Sequence, residues 1–127
     1  MIGAMNDARG LKNLAWVGSS KKDLSTFPAN VKSAMGFALY QVQLGLKPLS
    51  AKPLAGFGGV GVLEISDDSR TDTYRAVYTV KFRNLIYVLH AFQKKSKRGL
   101  ATPKADLELI KSRLKLAEED YKARRTK

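Results

Sequence analysis

The stretch from Thr73 to Lys97, TYRAVYTVKFRNLIYVLHAFQKKSK, decides how the chain folds. Two runs rich in Val, Ile, Leu, Tyr and Phe flank the short polar segment Lys81-Phe82-Arg83-Asn84, the pattern of a β-hairpin. Side chains alternate along a strand, so Arg75, Val77 and Thr79 are expected on one face and Tyr74, Ala76 and Tyr78 on the other. By the same rule Ile86, Val88, His90 and Phe92 should oppose Leu85, Tyr87 and Leu89. An arginine and a histidine thus sit among apolar strand positions. The second strand then leads straight into Lys94-Lys95-Ser96-Lys97-Arg98.

Upstream of the hairpin, Leu11 to Val17 is a short apolar run closed by Gly18-Ser19-Ser20 and reads as a first strand, and Lys21 to Phe27 has room for one helical turn. Pro28 suits the first position of a helix, because its missing N–H has no partner there in any case. Val31, Ala34, Met35, Ala38 and Val42 recur at helical spacing and predict a core-facing stripe ending near Gly45. Leu46 to Gly59, with two prolines and three glycines, reads as a loop; Val60 to Ile65 reads as a strand whose one charge is Glu64. Ser66 to Asp72 is an acidic turn. After the hairpin and a basic loop, Thr102 and Pro103 open a last helix as N-cap and first residue, with Leu107, Ile110, Leu114 and Ala117 as its stripe. The expected fold is therefore α+β: a small, mostly antiparallel four-stranded sheet packed with an N-terminal helical segment and a C-terminal helix. Residues 12–121 form one domain in this reading, preceded by a leader over 1–11 and followed by a frayed basic tail over 122–127.

The chain has 127 residues and a formal charge of +12, which points to a polyanionic partner. It has no cysteine, which removes disulfides, thiolate metal sites and a Cys nucleophile and suits a reducing cytoplasm. No run approaches the ~18 apolar residues of a membrane span. The glycines of Gly56-Phe57-Gly58-Gly59-Val60-Gly61 precede a strand rather than a helix, so they read as a flexible turn and not as a phosphate cradle. With one histidine, no cysteine and most of the acids in a turn and the last helix, neither a metal nor another cofactor is expected. A lone histidine on an apolar strand is more often a hydrogen-bonded core residue than a catalytic one. Lys94, Lys95, Lys97 and Arg98, together with a mid-strand Arg75 that needs a partner or a solvated cleft, fit phosphate recognition.

These pieces, in order, resemble the RelE/ParE toxin superfamily, and within it the HigB-like, phage-derived branch. They are Lys52-Pro53-Leu54, Leu63-Glu64-Ile65, Tyr74-Arg75-Ala76-Val77-Tyr78, Val88 to Ser96 and Thr102-Pro103. The resemblance implies a compact RelE-like sheet packed on helices and a toxin that cuts mRNA in the ribosomal A site without metal, silenced by a helix-turn-helix antitoxin in a hetero-oligomer. It implies Arg75 as a grip on the scissile phosphate, Lys94 and Lys95 as oxyanion stabilisers or proton donors, and Lys52 as a loop cation. Lys97, Arg98 and Lys47 would hold RNA. Unlike RelE, the chain has no tyrosine in the loop after the last strand, which leaves His90 and Lys52 as candidates for the base. Two other readings share the scaffold or the charge: a ParE-like gyrase inhibitor, and a non-catalytic phage-derived module that binds nucleic acid or protein.

Overall fold

The computed structural model describes residues 11–59, 61–69, 72–95 and 101–125. Its elements are β1 (Asn13–Trp16), α1 (Ser20–Ser25), α2 (Ala29–Gln43), β2 (Ala51–Pro53), β3 (Val62–Ser69), β4 (Asp72–Thr79), β5 (Leu85–Lys95) and α3 (Lys104–Arg125). The α+β class and the hairpin β4–β5 are as expected, but the sheet is mixed and has five strands in the order β1-β5-β4-β3-β2. β1 runs parallel to β5, while the other neighbours are antiparallel. The additional strand is β2, three residues inside the stretch read as a loop, paired with Leu63–Ile65. It is too short to show a period, and it carries Pro53, which an edge strand tolerates. The acidic segment also differs from expectation: Asp67 and Asp68 pair with Tyr74 and Thr73, so β3 and β4 continue through it.

Helices cover both faces of the sheet. α1 and α2 enclose a core of Val31, Met35, Ala38, Leu39 and Val42 with Ile65, Tyr74, Ala76, Tyr78, Ile86 and Val88. α3 covers the other face, where Ile110 and Ala117 meet Val62, Val77, Tyr87 and Leu89. Arg75, Val77 and Thr79 do oppose Tyr74, Ala76 and Tyr78 in facing. The alternation expected for β5, however, is interrupted. Tyr78 pairs with Val88 and Val77 with His90, so Leu89 is one extra residue, a β-bulge. One inserted residue reverses the facing of everything beyond it. His90 and Phe92 therefore share the α3 face with Leu85, Tyr87 and Leu89, while Ala91 joins the α1/α2 core.

The helix ends also refine the sequence reading. Pro28 and Pro103 occupy N-cap positions, their carbonyls accepting from Lys32 N at 2.8 Å and Leu107 N at 3.0 Å. The α2 stripe is rotated slightly: Leu39 is buried and Ala34 is exposed. α3 continues through Arg125, beyond the expected end of the domain; the leader over 1–10 and residues 126–127 lie outside the described residues. The end of α3 is fastened to β5 by Asp120, which accepts from the Tyr87 hydroxyl and from Arg124 Nε, each at 2.6 Å. Burial alone would raise the Asp120 carboxyl, but the hydrogen bonds from Tyr87 and Arg124 outweigh it and hold the group below its ordinary value of 3.8. Burial first, and then the Asp120 contact, pushes the Tyr87 phenol upward.

Two outcomes test this architecture. Met35→Ala should cost about 2–5 kcal/mol in urea melts. Ala34→Glu, one position away, should stay within about 0.5 kcal/mol, because it faces solvent. A folded-state carboxyl held low contributes stability that is present above its unfolded pKa and lost as pH falls through its folded value. Wild type should therefore lose stability faster than Asp120→Asn as pH is lowered from about 6 to 3, as read from urea midpoints.

Candidate functional site

The bulge and the strand registers bring one set of polar residues together on the α3 face, near the start of that helix. Lys52 of β2 stands opposite Glu64 of β3, Ser66 opposite Arg75 of β4, and Thr73 opposite Lys94 of β5. Glu64 and Arg75 are 1% and 3% exposed, a depth at which a charge needs an opposite charge. Arg75 donates through one terminal nitrogen to Glu64 Oε1 at 2.5 Å. The Thr102 hydroxyl donates to Glu64 Oε2 at 2.9 Å. Thr102 thus serves Glu64 rather than capping α3, and the carboxylate joins β4 to the segment that enters the helix. A cleft of about 210 Å³ opens here, lined by Lys52, Leu54, Glu64, Arg75, Thr102 and Leu107 among others.

Three buried polar atoms of this patch have no hydrogen-bond partner: Arg75 Nε, Thr73 Oγ1 and Ser66 Oγ. Leaving a buried donor unpaired costs about 1–3 kcal/mol. Three on adjacent positions leave this patch short of hydrogen-bond partners within the protein. Lys94, itself only 7% exposed, stands opposite Thr73 in the β4–β5 ladder. Burial, reinforced by the like charges of Arg75 and then Lys52, moves the Lys94 ammonium below the ordinary lysine range, while Glu64 and Asp68 pull the other way. An ammonium held low gives up its proton more readily near neutral pH.

His90 belongs to a different network. Its Nε2 lies 2.7 Å from Asp106 Oδ1, and its Nδ1 faces Arg113 at 3.4 Å. Arginine only donates, so Nδ1 accepts and Nε2–H donates to the carboxylate. The ring also stacks on Phe92 at 4.7 Å. With both nitrogens engaged and the residue 6% exposed, His90 is built as a fixed core group. Arg113 also donates to Leu89 O at 2.9 Å and to Ser19 Oγ at 3.1 Å, and burial lowers its own pKa.

Of the residues singled out in the sequence, Lys52, Arg75 and Lys94 come together. His90 stands apart on the same face. Lys47 lines a separate cleft with Lys12, Leu63 and Tyr78 on the α1/α2 side. Lys95 ends β5 opposite Asp72. Lys97 and Arg98 lie outside the described residues. Glu64, Thr73 and Thr102 are the residues that sequence reasoning passed over. Glu64 left a usable signal: a lone acid in one apolar strand and a lone arginine in another predict that the two will pair. Among the described residues no three His, Cys, Asp or Glu side chains come together as a metal site. No helix among them is long and apolar enough to cross a membrane.

The family model for phage-derived protein Gp49-like (DUF891) matches residues 22–115, from α1 into the second half of α3. No curated protein and no solved structure matches the chain.

The Glu64–Arg75 pair makes a specific energetic prediction. Glu64→Ala strands a buried guanidinium and should cost about 3–5 kcal/mol. The double replacement Glu64→Leu with Arg75→Met removes both charges and should melt near wild type or above it. Thermal melts of the three proteins measure this; a double variant as unstable as Glu64→Ala would show that the pair itself holds the fold.

Proposed function

The chain belongs to the Gp49-like family of phage-derived proteins, and we propose that it is the toxin of a type II toxin–antitoxin system, a metal-independent, ribosome-dependent mRNA endonuclease. The observation that carries this reading is the gathering of Lys52, Arg75 and Lys94, with Lys52 and Arg75 lining one cleft beside buried polar atoms that have no partner within the protein. A phosphodiester offers what such a patch lacks, a compact anion with several acceptor oxygens.

The reaction follows from these groups. The ribose 2′-oxygen attacks the neighbouring phosphorus, the bond to the 5′-oxygen breaks, and a 2′,3′-cyclic phosphate and a 5′-hydroxyl result. Negative charge accumulates on the non-bridging oxygens, where the Arg75 guanidinium offsets it. Lys94 supplies the proton to the departing 5′-oxygen. For the proton of the 2′-hydroxyl, Lys52 is favoured over His90, because it reaches the cleft and His90 has both ring nitrogens occupied. A helix-turn-helix antitoxin, encoded beside the toxin and assembling with it as a hetero-oligomer, would keep the cleft silent in the cytoplasm of a growing cell.

Mapping mRNA 5′ ends after induced expression tests the reading. New ends within translated codons are expected. Intact mRNA with arrested gyrase on DNA would replace it with the gyrase-inhibitor reading. Lys94→Ala should lower the cleavage rate on ribosomes by ~10²–10³-fold without unfolding the protein. As a general acid Lys94 must be protonated, so the rate should fall as pH rises through its lowered pKa. Lys94→Arg should keep RNA affinity and lose that alkaline limb.

A further inference from the structure

At the opposite end of α3 lies a second cationic site with no place in the cleavage chemistry. A groove of about 790 Å³ runs between the β4–β5 turn and the last turns of α3. Lys81 and Arg83 line it from the turn, and Lys122 and Arg125 from the helix. Its one acid, Glu118, is already paired with Lys81. The walls are fixed relative to each other: Phe82 and Tyr121 meet with ring centroids 4.7 Å apart, and Tyr87 and Asp120 fasten the helix just below. Cations in the last turn of a helix answer its own dipole and need no ligand. That explanation covers Lys122 and Arg125. Lys81 answers Glu118, but neither explanation covers Arg83, which comes from another element and faces the same groove.

We infer that this groove is a docking surface for the phosphate backbone of RNA, separate from the cleft and independent of cleavage. The groove is open, its cations come from two rigid walls, and Asn84 and the Tyr121 edge add polar and stacking capacity. An extended polyanion engages such a set in succession. The cleft lies on the same face of the sheet, roughly 20 Å away along β4 at ~3.3 Å per residue from Arg75 to Lys81. One RNA strand or stem is long enough to touch both.

The test uses the full chain carrying Lys94→Ala, so that cleavage does not intervene, and a fluorescein-labelled RNA hairpin titrated over a range of salt. Adding Arg83→Gln, Lys122→Gln and Arg125→Gln should weaken binding at least ~10-fold. It should also make the slope of log affinity against log salt shallower by about 2, since each lost phosphate contact contributes roughly 0.7–0.9. All three residues are exposed, and unchanged melting confirms the fold. A control with Lys21→Gln, Lys22→Gln and Lys111→Gln, exposed cations elsewhere, should leave the slope in place. Equal losses in both sets would mean general charge attraction and overturn the proposal, as would unchanged RNA binding in the groove variant. Loss of binding to phosphatidylglycerol vesicles with RNA binding retained would assign the groove to a membrane surface and overturn it equally.

Discussion

Leu89 enters the β4–β5 ladder as an extra residue, and its carbonyl accepts a hydrogen bond from Arg113 of α3 at 2.9 Å. That contact settles which side of the sheet carries the polar groups. In a regular strand His90, Phe92 and Lys94 would share the face of Ile86 and Val88, pressed against α1 and α2. Burying an ammonium there would be prohibitive without a counter-charge. The bulge instead turns Lys94 toward Arg75 and Glu64. Arg113 also passes close to Gly18: a Cβ there would lie 2.9 Å from the guanidinium, and the backbone φ of 57° is one that glycine adopts freely. The corner between β1 and α1, the bulge and the middle of α3 are thereby one connected unit.

The ion pair beneath Lys94 invites the question of what it is for. A buried pair is poor evidence of stabilisation, since desolvating two charges offsets most of their attraction. Here the balance is worse than usual, because Arg75 Nε and two neighbouring hydroxyls have no partner, at about 1–3 kcal/mol for each. A protein selected for stability alone would fill this space with apolar side chains. The arrangement instead fixes the guanidinium in one orientation. Glu64 holds one terminal nitrogen, Thr102 holds Glu64, and Nε of the guanidinium has no partner.

What the sequence reveals and what it hides follow from the range of each interaction. The hairpin, the two longer helices and the facing of β4 are written in local periodicity, and they come out as read. Lys52, Arg75 and Lys94 also come together, but in the sequence Lys52 reads as a loop residue and only the resemblance links it to the other two. The bulge is invisible, since Val88-Leu89-His90-Ala91 reads equally well as regular alternation, and only packing against α3 selects the inserted residue. β2 is invisible for a different reason: three residues ending in proline carry no period, and their strand character comes from β3 alongside. The partners of His90 lie 16 and 23 positions away on a helix, so no local pattern could show that both its nitrogens are occupied.

The remaining constraint is charge. At +12 the chain repels itself, and cations gather both at the cleft beside the start of α3 and in the groove beside its end. Among the described residues the paired acids nearby are few: Glu64 with Arg75, Glu118 with Lys81, Asp120 with Arg124. The two exposed pairs contribute little once screened by salt. Placing like charges at both ends of one 22-residue helix raises the energy of the free folded state. Any polyanion that spans both ends removes that penalty, and because it binds the folded form alone it adds stability by mass action. The net charge therefore favours the folded form whenever a polyanion is bound to it, and such binding should weaken as salt rises.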